Sequence, residues 1–147
     1  MEKVFPEILE VIRDENKLKN AKKIPIPYFG LMAIELIDTV KELNSEISLY
    51  EIGYKFGKLM SPNSLEELVK LFRLMNFGEL KIDLERRVIE HYSPPYNKKC
   101  SEPIHDFIAG ILAGALKNIF SKNNVVKEIK CTSIGEEKCV YEILFFE

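Results

Sequence analysis

The spacing of apolar residues changes near the middle of this chain, close to Gly78, from a helical period to a strand period. Before that glycine, apolar residues recur every three or four positions, which is typical of amphipathic helices. After it, in the segment ELKIDLERRVIEHY, apolar and charged residues alternate, as in strands with one buried face. The chain is therefore predicted to be helical in its first half and to form a sheet in its second half.

Four helical segments are predicted before Gly78. Apolar residues at helical spacing define the first over 4–12, and the two prolines of NAKKIPIPYFG separate it from the second, LMAIELIDTVKEL. SLYEIGYKFGKLM is the third. The clearest is SPNSLEELVKLFRLMNFG, in which Ser64 can cap the first free amides and Glu67 completes a capping box. Gly78 suits the C-terminal stop of that helix.

The second half is predicted to contain two hairpins with a helix between them. The first hairpin turns near Glu85 and Arg86, the helix spans Ile104–Phe120, and the second hairpin pairs NVVKEIKC with KCVYEILFFE. The expected fold class is α+β, with a helical N-terminal half packed on one small antiparallel sheet. We expect a single domain, with 1–23 as an N-terminal helical extension and 24–147 as the domain proper.

Composition excludes some classes of function. The net charge of −2 and the pI near 5.8 lack the basic footprint that nucleic-acid binding requires. The longest apolar run, FIAGILAGAL, covers about half of a bilayer, so no membrane span is expected. With no secretion signal at the start, the expected location is cytoplasmic.

Two cysteines flank the expected turn of the last hairpin, in the segment KCTSIGEEKC. Cys131 ends one strand and Cys139 begins the next, so their side chains can face the same side of the hairpin. A disulfide, a metal site and coincidence all fit this spacing. The chain holds three cysteines and no sign of an oxidising compartment, which disfavours a disulfide and favours thiolate ligation of Zn²⁺.

Two further zinc ligands are available just before the helix at 104–120. His105 lies in its expected first turn, and Cys100 lies five residues earlier. Taken alone, His105 fits a helix-start histidine bonded to backbone, and Cys100 fits an incidental loop thiol. Beside a dithiol hairpin both become candidates, and four Cys and His ligands would form a closed, structural site.

The segments EIKCTSIGEEKCVYEI and EPIHDFIAGILAGAL resemble the C-terminal signature of the vinyl-4-reductase domain family. The spacing of glutamate, cysteine, glycine and cysteine is similar, as are two glycines four apart in the preceding helix, here Gly110 and Gly114. His105 stands where the family generally has a cysteine. The resemblance extends, more weakly, over about 24–147.

This resemblance implies an α+β fold shared with nitric-oxide-sensing haem domains and a Golgi vesicle-tethering subunit. It also implies a zinc ion beside a pocket for a small hydrophobic molecule, and a homodimer. By position it carries Cys131, Cys139 and Glu128 over as motif residues, and His105 by substitution. On a strictly alternating strand, Glu128 lies on the face opposite Cys131 and Ile129, so Cys100 is the preferred fourth ligand and Glu128 the reserve.

Other features have simpler interpretations. Gly53 and Gly57, like Gly110 and Gly114, indicate close helix packing inside the domain. The aromatic residues of the helical segments are expected in the core: Tyr50, Tyr54, Phe56, Phe72, Phe77 and Phe107. His91 is expected to face solvent.

We therefore predict a zinc-stabilised domain that binds a small hydrophobic molecule as a sensor or carrier, without catalysis. Signalling would require a partner protein. One alternative is a reductase or its accessory subunit, although no redox-cofactor motif is present. Another is an assembly protein like the vesicle-tethering relatives, which would act through its surface.

Overall fold

The computed structural model describes residues 10, 13–20, 43, 46, 48–93, 104–130 and 138–147, with only the backbone at 18–20 and 104–105. The predicted helices at 4–12 and 31–43 fall outside this part of the chain, apart from isolated positions. The boundary predicted between the N-terminal extension and the domain proper falls outside it as well.

Four helices and four strands are described in these ranges. They are α1 Glu15–Asn20, α2 Leu49–Met60, α3 Leu65–Leu74, β1 Glu79–Asp83, β2 Val88–Tyr92, α4 Ile104–Phe120, β3 Asn123–Lys130 and β4 Cys139–Phe146. The order confirms the predicted α+β class, with helices first and then hairpin, helix and hairpin.

The cap predicted at α3 is confirmed in its first half. The Ser64 hydroxyl accepts a hydrogen bond from the Glu67 amide at 3.1 Å, which satisfies one of the free amides of the first turn. The Glu67 carboxylate, however, accepts from the Asn63 amide at 2.7 Å and binds Arg13. The return bond of the capping box is therefore displaced by one residue.

Gly78 does not end α3 as predicted. The helix ends at Leu74, and Asn76 takes the left-handed conformation just beyond it, with φ of 57°. Gly78 has φ of 99° and lies at the entry to β1, where a Cβ would be only 2.3 Å from the Tyr92 carbonyl oxygen. Both the dihedral and this close approach require glycine.

The four strands form one antiparallel sheet in the order β1-β2-β4-β3. The first hairpin turns over 84–87, as predicted, and the second hairpin joins it through the pairing of β2 with β4. One face of this sheet, here called the inner face, is covered by α4. Asn124 on β3 donates a hydrogen bond to the Ala113 carbonyl of α4 at 3.0 Å and helps to fix this packing.

Helix α4 lies between the sheet and α2, and its residues from Phe107 to Leu116 are buried. Glycines on both helices let their backbones touch. A Cβ added at Gly53, Gly57, Gly110 or Gly114 would lie 2.1 Å from a carbonyl oxygen of the facing helix. The close helix packing predicted from these glycines is confirmed.

Phe72, Phe77 and Phe107 are buried, as predicted. Tyr50, Tyr54 and Phe56 are only half-buried and pack against the edge of the core. Tyr50 also ties α2 to the edge strand β3, because its hydroxyl accepts a hydrogen bond from the Val126 amide at 3.0 Å. Burial raises the pKa of the Tyr50 phenol.

None of the helices in the described ranges combines the length and the apolarity that a bilayer crossing requires.

Candidate functional site

The four predicted zinc ligands are described to different extents. Cys139 is the first residue of β4, and His105 lies in the first turn of α4, where only its backbone is described. Cys100 and Cys131 lie outside the described residues. The prediction that these four side chains converge therefore stays a prediction, and only the surroundings of Cys139 can be described in full.

Cys139 lies on the inner face of the sheet and is completely buried. It pairs directly with His91 across β2 and β4, and its next neighbour on the same face of β4 is Tyr141. Side chains that are directly opposite in an antiparallel pair have Cβ atoms about 5 Å apart. The thiol of Cys139 is therefore next to an imidazole in a water-excluded environment.

The prediction that His91 faces solvent is wrong. Its side chain is completely buried and lies between the rings of Phe72 and Tyr141, with centroid distances of 5.8 and 6.2 Å. Its Nε2 is 2.5 Å from the Phe77 carbonyl oxygen. Because a carbonyl oxygen can only accept, Nε2 carries a proton and donates it to this carbonyl.

The signal for this burial was present in the sequence. Ile89 and His91 are two positions apart on one strand and must share a face. Since Ile89 belongs to the core, His91 does too. The prediction of solvent exposure was wrong because it was based on the polarity of histidine and not on the position of His91 in the strand.

Glu128 lies on the inner face of β3, opposite Tyr141, whereas Ile129 is half exposed. The side chain of Glu128 is half-buried, and its Oε2 atom is inaccessible to solvent. The pairing register shifts between Glu128 and Lys130, which marks Ile129 as the extra residue of a β-bulge. The strict alternation on which the prediction for Glu128 was based therefore fails directly after it.

A polar cluster on the outer face of the sheet surrounds the start of β4. The Lys138 ammonium donates to Glu90 Oε1 at 2.6 Å and to the Tyr92 hydroxyl at 3.3 Å, while that hydroxyl donates to Glu90 Oε2 at 2.8 Å. The hydrogen bonds from Lys138 and Tyr92 lower the pKa of Glu90. The bond to Glu90 in turn raises the pKa of Lys138.

Among the described residues, no group of three or more His, Cys, Asp or Glu side chains is placed to hold a metal ion. A groove of about 490 Å³ runs along the first hairpin. Five of the eight lining residues are charged, and all eight come from β1, β2 and their turn: Lys81, Ile82, Asp83, Leu84, Glu85, Arg86, Val88 and Glu90.

A second surface, an apolar stripe on α2, has the chemistry that a hydrophobic ligand needs. Ile52, Phe56 and Leu59 recur at helical spacing, about 100° around the helix from Gly53 and Gly57. Ile52 and Phe56 are half-buried, and Leu59 is 50% exposed. The Phe56 ring also lies 6.1 Å from the Phe107 ring of α4.

With this geometry in view, the chain can be compared with known proteins. The sequence model of the V4R domain matches residues 89–145, which include the cysteine segment and all of β4 except its last residue. Uncharacterized protein MJ1460 of Methanocaldococcus jannaschii is 56% identical over 153 residues, with coverage of 97% of this chain and 93% of that protein. MJ0745 of the same organism is 35% identical over 160 residues, with coverage of 96% and 88%.

The crystal structure of a vinyl-4-reductase family protein from M. jannaschii superimposes on this chain with a TM-score of 0.71. The two chains are 52% identical, and the match covers 100% of this chain and 98% of the other. This chain belongs to the vinyl-4-reductase domain family. The resemblance inferred from the cysteine segment is therefore confirmed.

A more distant member of the same fold is trafficking protein particle complex subunit 3 from Naegleria fowleri, solved with covalently bound palmitic acid. It is similar to this chain with a TM-score of 0.57 and 13% identity, over 86% of this chain and 98% of that one. At that identity the similarity shows a shared fold. The expected relation between the family and vesicle-tethering subunits is confirmed at the level of fold.

Proposed function

We propose that this domain binds a small hydrophobic molecule along the apolar stripe of α2, as a sensor or carrier without catalysis, and that a zinc ion stabilises it. The observation that carries the proposal is the stripe itself. Ile52, Phe56 and Leu59 keep apolar surface at the margin of a core in which the neighbouring helix faces are buried.

The packing of α2 explains why this stripe lies beside the contact with α4 and not within it. The glycine face of the helix is used for contact with α4, where the backbones touch. The stripe lies to one side of that contact, and the charged side chains of Glu51, Lys55 and Lys58 are exposed to solvent. A partly open apolar strip that includes an aromatic ring is the kind of surface that binds apolar ligands.

The apolar side chains of the stripe favour an acyl chain or a compact aromatic as the occupant. The described stripe presents carbon and few hydrogen-bonding groups, so it would select for shape and apolar area. The fold relative from N. fowleri holds palmitic acid. That observation belongs to the relative, and it supports a fatty acid as the first probe for this chain.

For the zinc ion we propose Cys131, Cys139 and His105 as ligands, with Cys100 or Glu128 as the fourth. Glu128 is now the stronger of these two, because its side chain is on the same face of the sheet as Cys139.

The proposed ligands suit a structural zinc ion and not a catalytic one. With four protein ligands, a tetrahedral zinc site is closed and leaves no position for substrate. Bound there, the ion would join the last hairpin to the start of α4 and would add its binding free energy to that of folding.

Leu59→Glu is expected to weaken the binding of palmitic acid at least tenfold, because it places a charge on the stripe and repels the fatty-acid carboxylate. The measurement is fluorescence displacement or isothermal titration with palmitic acid. Leu59 is 50% exposed, so the variant is expected to fold.

Leu144→Glu is the matched control, since Leu144 is 46% exposed but lies on the outer face of the sheet. It should bind palmitic acid within twofold of the natural protein. Equal losses in both variants, or no saturable binding by the natural protein, would contradict the proposed ligand surface.

A further inference from the structure

We infer that Lys55 is the specificity-determining residue of the ligand surface on α2, and that it selects acyl chains that end in a carboxylate. The inference rests on the proposed function, because it concerns the ligand of the same apolar stripe. It narrows that ligand from any small hydrophobic molecule to a fatty acid in its ionised form.

Lys55 borders the stripe along its whole length. On a helix, residues three and four positions apart are neighbours, with Cβ atoms about 5–6 Å apart. Lys55 has Ile52 three positions before it and Leu59 four positions after it, so it lies beside both ends of the stripe. With 3.6 residues per turn, Lys55 is about 40–60° around the helix from these two, on the side away from Gly53. The stripe is therefore bounded by the α4 contact on one side and by Lys55 on the other.

The two other charged residues of α2 do not border the stripe. Neither Glu51 nor Lys58 has a residue of the stripe three or four positions away. The Lys58 ammonium lies instead over the Tyr54 ring, 5.9 Å from its centroid. Within α2, Lys55 is thus the one charged side chain at the margin of the stripe.

The Lys55 side chain is suited to meet a ligand there. It is exposed, and no carboxylate in the described part of the chain forms an ion pair with it, although Glu51 lies one turn before it. A lysine stem can lie along apolar surface while its ammonium stays in water. Lys55 therefore extends the apolar surface with its methylene groups and presents its charge at the edge.

A cation at this margin discriminates between apolar ligands by their head groups. An acyl chain on the stripe makes the same apolar contact whether it ends in a carboxylate or in a hydroxyl. Only the carboxylate adds the attraction between opposite charges, and an ion pair this exposed changes affinity by at most about fivefold. The apolar side chains thus provide most of the affinity, and Lys55 sets the preference between ligands of equal length.

The test compares palmitic acid with 1-hexadecanol, which has the same chain length and no charge, by fluorescence displacement at low ionic strength. The natural protein should bind palmitic acid about threefold to fivefold more tightly than 1-hexadecanol. Lys55→Met should remove this preference by weakening the binding of palmitic acid alone, and Lys55→Arg should keep it. Added salt should reduce the preference of the natural protein, because it screens exposed charges.

Lys58→Met is the matched control, because it removes an equal charge from an exposed position of the same helix that does not border the stripe. It should bind both ligands as the natural protein does. Equal losses of palmitic acid binding in Lys55→Met and Lys58→Met would overturn the inference, as would equal losses of both ligands in Lys55→Met. If the natural protein binds palmitic acid and Lys55→Met binds it equally well, only the selecting role fails. If the natural protein binds neither ligand, the proposed ligand surface fails and the inference fails with it.

Discussion

Replacing Gly57 with alanine will destabilise the protein by about 3 kcal/mol or more. A Cβ at this position would lie 2.1 Å from the Ile111 carbonyl oxygen and 3.0 Å from the Ala115 amide nitrogen. Both contacts are with backbone, so no side chain can move aside. The two helices would have to separate by about 1 Å, which would disturb the dense core on both sides of α4.

Helix propensity alone predicts that Gly57→Ala stabilises the protein, so a loss of stability would be due to packing. In an exposed helix, glycine to alanine stabilises by about 1 kcal/mol, because alanine restricts the unfolded chain. The measurement is urea unfolding followed by far-ultraviolet circular dichroism. Glu51→Ala, on the exposed side of the same helix, is the control and should change stability by less than about 0.5 kcal/mol.

The two glycines of one contact layer should also be coupled. Gly114 faces the Tyr54 carbonyl oxygen at the same crossing at which Gly57 faces that of Ile111. Once the helices have separated for one alanine, the second costs less, so the double variant should lose less stability than the sum of the singles. A Gly57→Ala protein as stable as the natural one would contradict this packing.

His91→Ala will destabilise the protein by about 3 kcal/mol, because it removes a buried ring and a buried hydrogen bond together. The ring packs between Phe72 and Tyr141, and Nε2 donates to the Phe77 carbonyl at 2.5 Å. His91→Leu keeps most of the volume but loses the donor. We expect it to lose about half as much stability as His91→Ala.

The stability losses of both variants are measured by thermal and urea unfolding. The proteins are metal-free, so zinc binding does not contribute to the free energy of unfolding. Lys81→Ala, at an exposed position on the neighbouring strand, is the control and should be neutral within about 0.5 kcal/mol. If His91→Ala behaved like Lys81→Ala, His91 would face solvent, as its polarity alone suggests.

Much of the fold followed from local patterns. The helix Ile104–Phe120, the turn near Glu85 and the second hairpin were predicted from apolar period and turn residues, and the structure has them in those places. These features depend on neighbours in sequence. The close approach of α2 and α4 was also predictable, because glycines four residues apart have few other uses inside an apolar helix.

The errors arose where contacts between distant segments decide the outcome. Gly78 is required at the entry to β1 because of the Tyr92 carbonyl, which is far away in sequence. The bulge at Ile129 depends on how β3 pairs with β4, so a count along one strand could not give the register between Glu128 and Lys130. His91 was a different case, since its spacing from Ile89 already indicated burial.

For the candidate site, the cysteine segment identified the family and the strand position of Cys139. It did not identify His91 as the neighbour of Cys139, because that relation depends on the pairing of β2 with β4. The convergence of Cys131, Cys139 and His105 on one ion stays a prediction.

The most direct test of that central claim is metal analysis combined with native mass spectrometry of untagged protein purified without chelators. The account predicts one zinc ion per chain, lost in the Cys131→Ser and Cys139→Ser double variant while the natural protein keeps it through gel filtration. Protein that folds and stays metal-free after production with abundant zinc would contradict it, as would a double variant that still retains the ion.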